Sequence, residues 1–428
     1  MPAILDLFNQ KTVLDYVQNR QYPQLLGDTL FPSTKINQLD FEFLRGGSKT
    51  PIVASISAFD TEAEIGSREA SVQAAELGYI KRKMQLKEKD LIALRNPRTP
   101  AEQNYLTSLV YNDLDVLVQG VYARVEKMRM EALATGKITI NENNLNFNVD
   151  YHVPEEHQVA ATTSWDADGA DPIKDLQDWF ALLDYVPTRI LTSSKVQTAL
   201  IRSKAFADYF KTAGLLPSVG SLNAVMQSFG LPTIVTYDAK YRKQGANGIY
   251  TVERYFPEDT LVAFGDDQLG QTVYGPTPEE SRLMATPGVQ QGTVGNVFTT
   301  VYETTQDPIA TWEKAAATAL PSFPEAENVL QAKVLIPKTL APATGITLSQ
   351  KTASLKVGAT KQITVSADPV DASDASDVVS AAKFASSNTG VATVAADGTI
   401  TAVAVGSTTI TATSGSFTAT VAVTVSAA

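Results

Sequence analysis

The composition of this 428-residue chain changes at residue 341, and that break limits what it can fold into. From Pro342 to Ala428 there is no Arg, Glu, Tyr or Trp, and only Phe384 and Phe417 are aromatic. The segment is built from Ala, Val, Thr, Ser and Gly in strand-length alternation. A core needs large side chains or many short strands closing on each other. This tail can supply only the second. The sequence therefore predicts two separately folding units, residues 1–340 and residues 341–428.

The charge divides unequally between them. The whole chain carries −11, and the tail holds Lys351, Lys356, Lys361 and Lys383 against Asp368, Asp371, Asp374, Asp377 and Asp397. The tail contributes −1, so nearly all the acidity lies in residues 1–340. Such a chain gains little from counterion release and is not expected to bind nucleic acid tightly. Acidity also suits a protein that encloses DNA without adhering to it. Cysteine is absent, which excludes a thiol nucleophile, thiolate-bound zinc and disulfides. The opening residues lack the basic and apolar regions of a signal peptide, and no run of about 20 apolar residues suggests a membrane span. The expectation is a cytosolic product.

Residues 1–40 read as an extended arm with a short helix, with Leu5, Phe8, Val13 and Val17 as scattered apolar anchors; such an arm packs on something else, often a neighbouring subunit. Residues 41–90 alternate as strands around a flexible turn at Gly46–Pro51 and an acidic stretch from Asp60 to Gly66. This is a long hairpin excursion, which needs something to lie on. Thr99-Pro-Ala-Glu102 is a capping box with Pro at the first helical position. Apolar or small residues then recur at Leu106, Val110, Leu114, Leu117, Val121, Val125, Met128 and Ala132, and Gly136 supplies a left-handed stop. The predicted helical residues 100–135 span roughly 54 Å. Val116, Val118 and Tyr122 lie off the stripe, so the helix is covered more widely than a coiled-coil seam. Glu126 falls on the presumed solvated face.

A hairpin is expected over 137–153 and a helix from Asp171. From Pro187 to about Thr300 helices and strands mix. They include helices at 193–201 and 221–229, strands at 189–192, 233–237 and 297–302, and a hairpin of 252–256 with 260–264. The Ala-rich run 308–320 reads as a helix stopped by Pro321, and 329–336 as a final strand.

No catalytic, cofactor-binding or metal-ligating residue can be named. His152 and His157 are the sole histidines. Their spacing is wrong by one residue for a helical metal-protease pair, and Pro154 intervenes. A solvent-exposed strand end is the expected setting. Asp166-Ala-Asp168-Gly-Ala-Asp171 lacks the twelfth-position Glu of a calcium loop, since that count reaches Gln177. It reads as a surface loop capping the next helix. Gly288–Gly295 has glycines but no phosphate-loop Lys-Ser/Thr.

Three blocks resemble the lambda-type major capsid protein E family of tailed phages. They begin at Thr251-Val-Glu-Arg-Tyr-Phe-Pro-Glu-Asp, at Gly270-Gln-Thr-Val-Tyr-Gly-Pro and at Glu303-Thr-Thr-Gln-Asp-Pro-Ile-Ala-Thr-Trp. The order of elements is similar to the phage Hong Kong 97 capsid fold. The resemblance, over roughly 1–340, implies an α+β capsid subunit. It would have an N-arm at 1–40, an extended loop at 45–75, a spine helix at 99–136, a peripheral domain and an axial domain at about 187–300. The tail resembles a group 2 bacterial immunoglobulin-like domain, an all-β sandwich. The residues that carry this are Leu355-Lys-Val-Gly, Phe384-Ala-Ser-Ser-Asn388, Asp397-Gly-Thr-Ile-Thr-Ala402 and Gly406-Ser-Thr-Thr-Ile-Thr. Phe384 stands where the family usually has Trp, and 368–382 is an extended loop.

The resemblance implies a structural protein without catalysis or cofactor. It would assemble with itself into hexamers and pentamers of an icosahedral head around double-stranded DNA, and display the immunoglobulin-like domain outside. Its implied location is the virion, assembled in the host cytoplasm. Scaffold, portal and decoration proteins are implied partners, with weak DNA contact and a host-surface glycan as a ligand class for the tail. Lys49, near the hairpin tip, is expected to be an ordinary solvated lysine rather than a cross-linker. Two other classes compete. A bacterial surface or S-layer adhesin would need export. A carbohydrate-active enzyme with an accessory sandwich would need two apposed carboxylates in a cleft.

Overall fold

A computed structural model describes residues 8, 10–45, 53, 71–86, 92, 98–142, 145–245, 247–265, 268–284, 295–304, 310–336 and 341–427. Most of the hairpin tip, Lys49 and nearly all of 288–295 lie outside the described residues. The chain divides into two compact units, Met1–Ile336 and Pro337–Ala428.

The long helix runs from Pro100 to Thr135. Thr99 Oγ1 accepts from the Glu102 amide at 3.1 Å, and the Glu102 carboxylate reaches back to the Arg98 amide at 2.7 Å. Gly136 ends the helix in the left-handed region at φ 70°, a conformation glycine adopts without Cβ penalty. Under the helix lies a five-stranded sheet whose centre is the strand Ala310–Ser322. One edge of this strand pairs antiparallel with Gly78–Leu86. The other pairs with Phe298–Thr304 along its first half and Gln271–Gly275 along its second. The short arm strand Ser33–Lys35 joins in parallel beyond Gln271–Gly275.

The helix expected at 308–320 is therefore a strand. Its alanines would favour a helix in isolation. Here Ala315, Ala317 and Ala319 are fully buried in one cluster with Val121, Val125 and Met128 of the long helix. Ala316 and Thr318, which alternate with them, are buried too. A strand covered on both faces under a closely seated helix needs small side chains, and tertiary packing overrides propensity.

The arm does not await a neighbour in order to pack. Its helix Gln10–Asn19 buries Val13, Leu14 and Val17, and Gln10 donates to the Thr299 carbonyl at 2.6 Å. Phe8 meets Tyr111 edge-on. Strand Asp40–Arg45 pairs with Ser71–Glu76, as the legs of a hairpin would. Gly78–Leu86 runs on into the main sheet rather than returning within the hairpin.

A second core lies around the sheet ordered Gln158–Ala160, Leu330–Lys333, Thr260–Phe264, Arg189–Thr192, Thr233–Thr236. Helices Ser194–Arg202, Lys204–Thr212 and Val219–Ser228 pack on it through Val196, Leu200, Phe206, Phe210, Leu222 and Met226. The mixed domain placed at about 187–300 thus also takes in Trp165, Ile173, Leu176 and Trp179 before it and Leu330–Leu335 after it. Strands 271–275 and 298–304 belong instead to the sheet under the long helix. The expected hairpin of 252–256 with 260–264 does not form. Thr260–Phe264 is buried throughout and pairs with Arg189–Thr192 and Leu330–Lys333. Tyr250–Arg254 is largely exposed and pairs with Lys240–Gln244 in a separate two-stranded ribbon. Strands in such unlike environments do not share a hairpin.

Among the described residues of the second unit, the one helix is Ala375–Ser380, which occupies the extended loop; its other regular elements are strands. A four-stranded sheet (Thr352–Lys356, Phe417–Ser426, Gly406–Ser414, Lys383–Ser386) and a three-stranded one (Thr360–Gln362, Thr399–Ala402, Ala392–Val394) enclose Ile363, Ile400, Ile410, Val421 and Val423. Gly398 turns at φ 82° after Asp397, with the Ile363 carbonyl where a Cβ would lie.

Candidate functional site

Among the described residues, no three His, Cys, Asp or Glu side chains are grouped to hold a metal ion, and no helix is long and apolar enough to cross a membrane. His152 is exposed beside Asp150 with φ 54°. His157, expected at a solvent-exposed strand end, is instead only 9% exposed in a short 3₁₀ turn. Asp171 caps the helix Pro172–Phe180, accepting from the Lys174 amide.

The structure concentrates its buried polar chemistry along the long helix instead. Glu126, expected on a solvated face, is completely buried. One carboxylate oxygen accepts from the Gly27 amide at 3.0 Å and the Tyr237 hydroxyl at 2.8 Å. Arg129, one turn on, pairs with Asp28 at 2.6 Å and with Glu126 at 3.4 Å. Its Nε donates to Thr272 Oγ1, which donates in turn to the Phe31 carbonyl. Burial pushes the Glu126 carboxyl up, against the hydrogen bonds from Tyr237 and Gly27. A Cβ on Gly27 would sit 2.2 Å from Glu126 Oε2, so the arm can approach this closely only with glycine. Nearer the start of the helix, Asp115 accepts from Tyr16 and Tyr22 and pairs with Arg20. Arm and helix are thus pinned at two polar knots, and the first also ties in the sheet through Thr272. The helix pattern carried one signal for this: apolar residues off the stripe mean that polar ones there can be buried too.

Glu313, on the central strand, faces the helix with 1% exposure, and neither carboxylate oxygen has a hydrogen-bond partner. Burial, aided by nearby Asp113, pushes its carboxyl up to about 8.

A cleft of about 880 Å³ opens between the long helix, the arm and the ribbon. Arg82, Arg124, Lys127, Arg242 and Lys243 line it, with Glu142 as the one carboxylate among the described lining residues. Burial opposes ionisation of Glu142, but Arg124 and Lys243 outweigh it and hold the carboxyl below its usual range. Lys127 lies over the Tyr241 ring and Arg242 over Tyr250. These cations come from three elements far apart in the sequence, so no local sequence pattern marks them.

Residues 9–334 match the family model described as phage major capsid protein E. Residues 342–425 match the model for a bacterial Ig-like domain of group 2. No curated protein matches the chain. Among solved structures, an E. coli CFT073 prophage protein described as a capsid protein aligns with a TM-score of 0.51 at 16% identity, covering 76% of this chain and 99% of its own. A phage-related protein from Bordetella bronchiseptica has a TM-score of 0.41 at 11% identity, covering 75% and 96%. The capsid of Myoviridae phage XM1 has 0.38 at 12%, covering 74% and 95%.

Proposed function

The chain belongs to the phage major capsid protein E family, and on that premise we propose that it is the shell-forming subunit of a phage head. Copies assemble into hexamers and pentamers of a closed icosahedral shell around double-stranded DNA. Its work is assembly rather than catalysis. Family membership over residues 9–334 carries this reading, and the two polar knots suit it. A subunit that transmits load needs its arm, helix and sheet fixed to each other before neighbours add to them. The net charge of −11 suits a container whose contents must not adhere. The hairpin lies over an adjacent subunit, the unit of three helices on a mixed sheet is the axial domain, and the immunoglobulin-like unit is displayed outside.

Electron microscopy of the purified, overexpressed chain tests the proposal. Closed shells or tubes are expected. A solution of dispersed monomers at high concentration, under conditions that keep the chain folded, counts against it.

A further inference from the structure

The cleft beside the long helix reverses the charge of the unit that carries it. The first unit holds nearly all of the chain's net charge of −11, yet five cations and one carboxylate meet among the described residues that line this cleft. Glu142 serves Arg124 and Lys243 together. Arg82, Lys127 and Arg242 have no carboxylate partner among the described residues. Holding such cations close together sets them against one another, and an anion lying between them relieves that repulsion.

The remaining walls are aromatic. Tyr22, Tyr122, Tyr241 and Tyr255 line the cleft. Ring centroids of Tyr22 and Tyr122 are 5.6 Å apart, and those of Tyr241 and Tyr255 are 5.0 Å apart. The hydroxyls of Tyr22 and Tyr241 already donate to Asp115 and Glu253, so these side chains offer the cleft rings rather than donors. Guanidinium forks match phosphate oxygens, and aromatic faces match bases. An acidic peptide would use the cations and leave the rings unmatched. A duplex would bring phosphates but keep its bases stacked inside. The cleft, at about 880 Å³, has the size of sites that take small ligands.

We propose that this cleft binds nucleotides, with phosphates between Arg82, Lys127 and Arg242 and a base against the tyrosine rings. A free nucleoside triphosphate and a single strand of nucleic acid both offer that chemistry. Because the rest of the first unit is acidic, nucleic acid would touch it here and little elsewhere. The inference goes beyond the shell reading and does not depend on it, since a chain that never assembles can still bind.

Fluorescence anisotropy of the full-length chain tests it, with labelled ATP and a labelled oligothymidylate about eight nucleotides long. Unlabelled ATP, inorganic triphosphate, polyglutamate and a blunt DNA duplex serve as competitors. Saturable binding is expected. For the strand, log affinity should fall against log salt with a slope of about −2, from three phosphate contacts at about 0.7 each. Arg82→Ala with Lys127→Ala should weaken binding at least about tenfold at unchanged melting temperature. Arg242→Ala, on the exposed ribbon, gives a second reading should the double variant fold poorly. Binding of ATP alone assigns the site to free nucleotides, and binding of the strand that ATP does not displace assigns it to single strands. Failure of both probes to bind, or equal binding by the variants, overturns the inference. So does displacement by inorganic triphosphate, polyglutamate or duplex as effective as by nucleotide, which would make the cleft a reader of negative charge alone. A folded chain that stays monomeric yet binds defeats the shell reading and leaves this inference standing; shells that bind neither probe do the reverse.

Discussion

Glu126 shows how far a single side chain can depart from its position on a helical wheel. Judged by the apolar stripe it should face water, and its replacement by Gln should change stability by less than about 0.5 kcal/mol. In the structure it is fully buried and accepts from Gly27 and Tyr237 beside Arg129. Glu126→Gln keeps one acceptor but turns an amide toward the guanidinium. The expected cost is about 1–3 kcal/mol, read as a fall in urea midpoint at unchanged slope. Glu313 behaves differently because nothing pairs with it. Its folded value, raised to about 8 from an ordinary 4.5, lies above that of the unfolded chain. The stability it contributes is full below the unfolded value and is lost as pH rises through about 8, with a slope of at most about 1.4 kcal/mol per pH unit. Glu313→Gln should flatten this part of the stability profile and melt above wild type at pH 9. An unchanged slope would mean that the carboxyl meets water or a donor.

At the scale of elements, the long helix was legible because its signals are local: a cap, a proline, a periodic stripe and a closing glycine. Val121 lies on that stripe and is 1% exposed. Val121→Asp should cost several kcal/mol by placing an unpaired charge against Ala315 and Val125, and should give insoluble or unassembled protein. Normal assembly of this variant would mean that the helix is not seated on the sheet. The strand Ala310–Ser322 was not legible. Its partners lie near residues 80, 272 and 300, and small residues suited to a strand under a helix look locally like good helix formers. The hairpin expected at 252–264 misled for a related reason. Adjacent strands usually pair, but Thr260–Phe264 is claimed from both sides by strands distant in the sequence. The cleft was invisible for the same cause, since only the fold brings Arg82, Lys127 and Arg242 together.

For the whole molecule, the composition break marks where one set of core residues gives way to another. The second unit has its own core of Ile363, Ile400, Ile410 and Val421, each fully buried. Ending the chain after Ile336 is therefore expected to leave shell formation and the melting of the remaining unit unchanged. Particle counts by microscopy and calorimetry of both forms would check this, and loss of particles would make the tail part of the shell. The strand Ala310–Ser322 has one more consequence, which concerns time. It occupies the middle of its sheet, yet the ribosome makes it after every other strand of that sheet. Until residue 322 has emerged, Gly78–Leu86 on one side and Phe298–Thr304 and Gln271–Gly275 on the other have no strand between them. The seat of the long helix is incomplete for as long. A nascent chain of about three hundred residues thus cannot present a finished subunit, and the assembly proposed above would have to wait until translation of the first unit is complete.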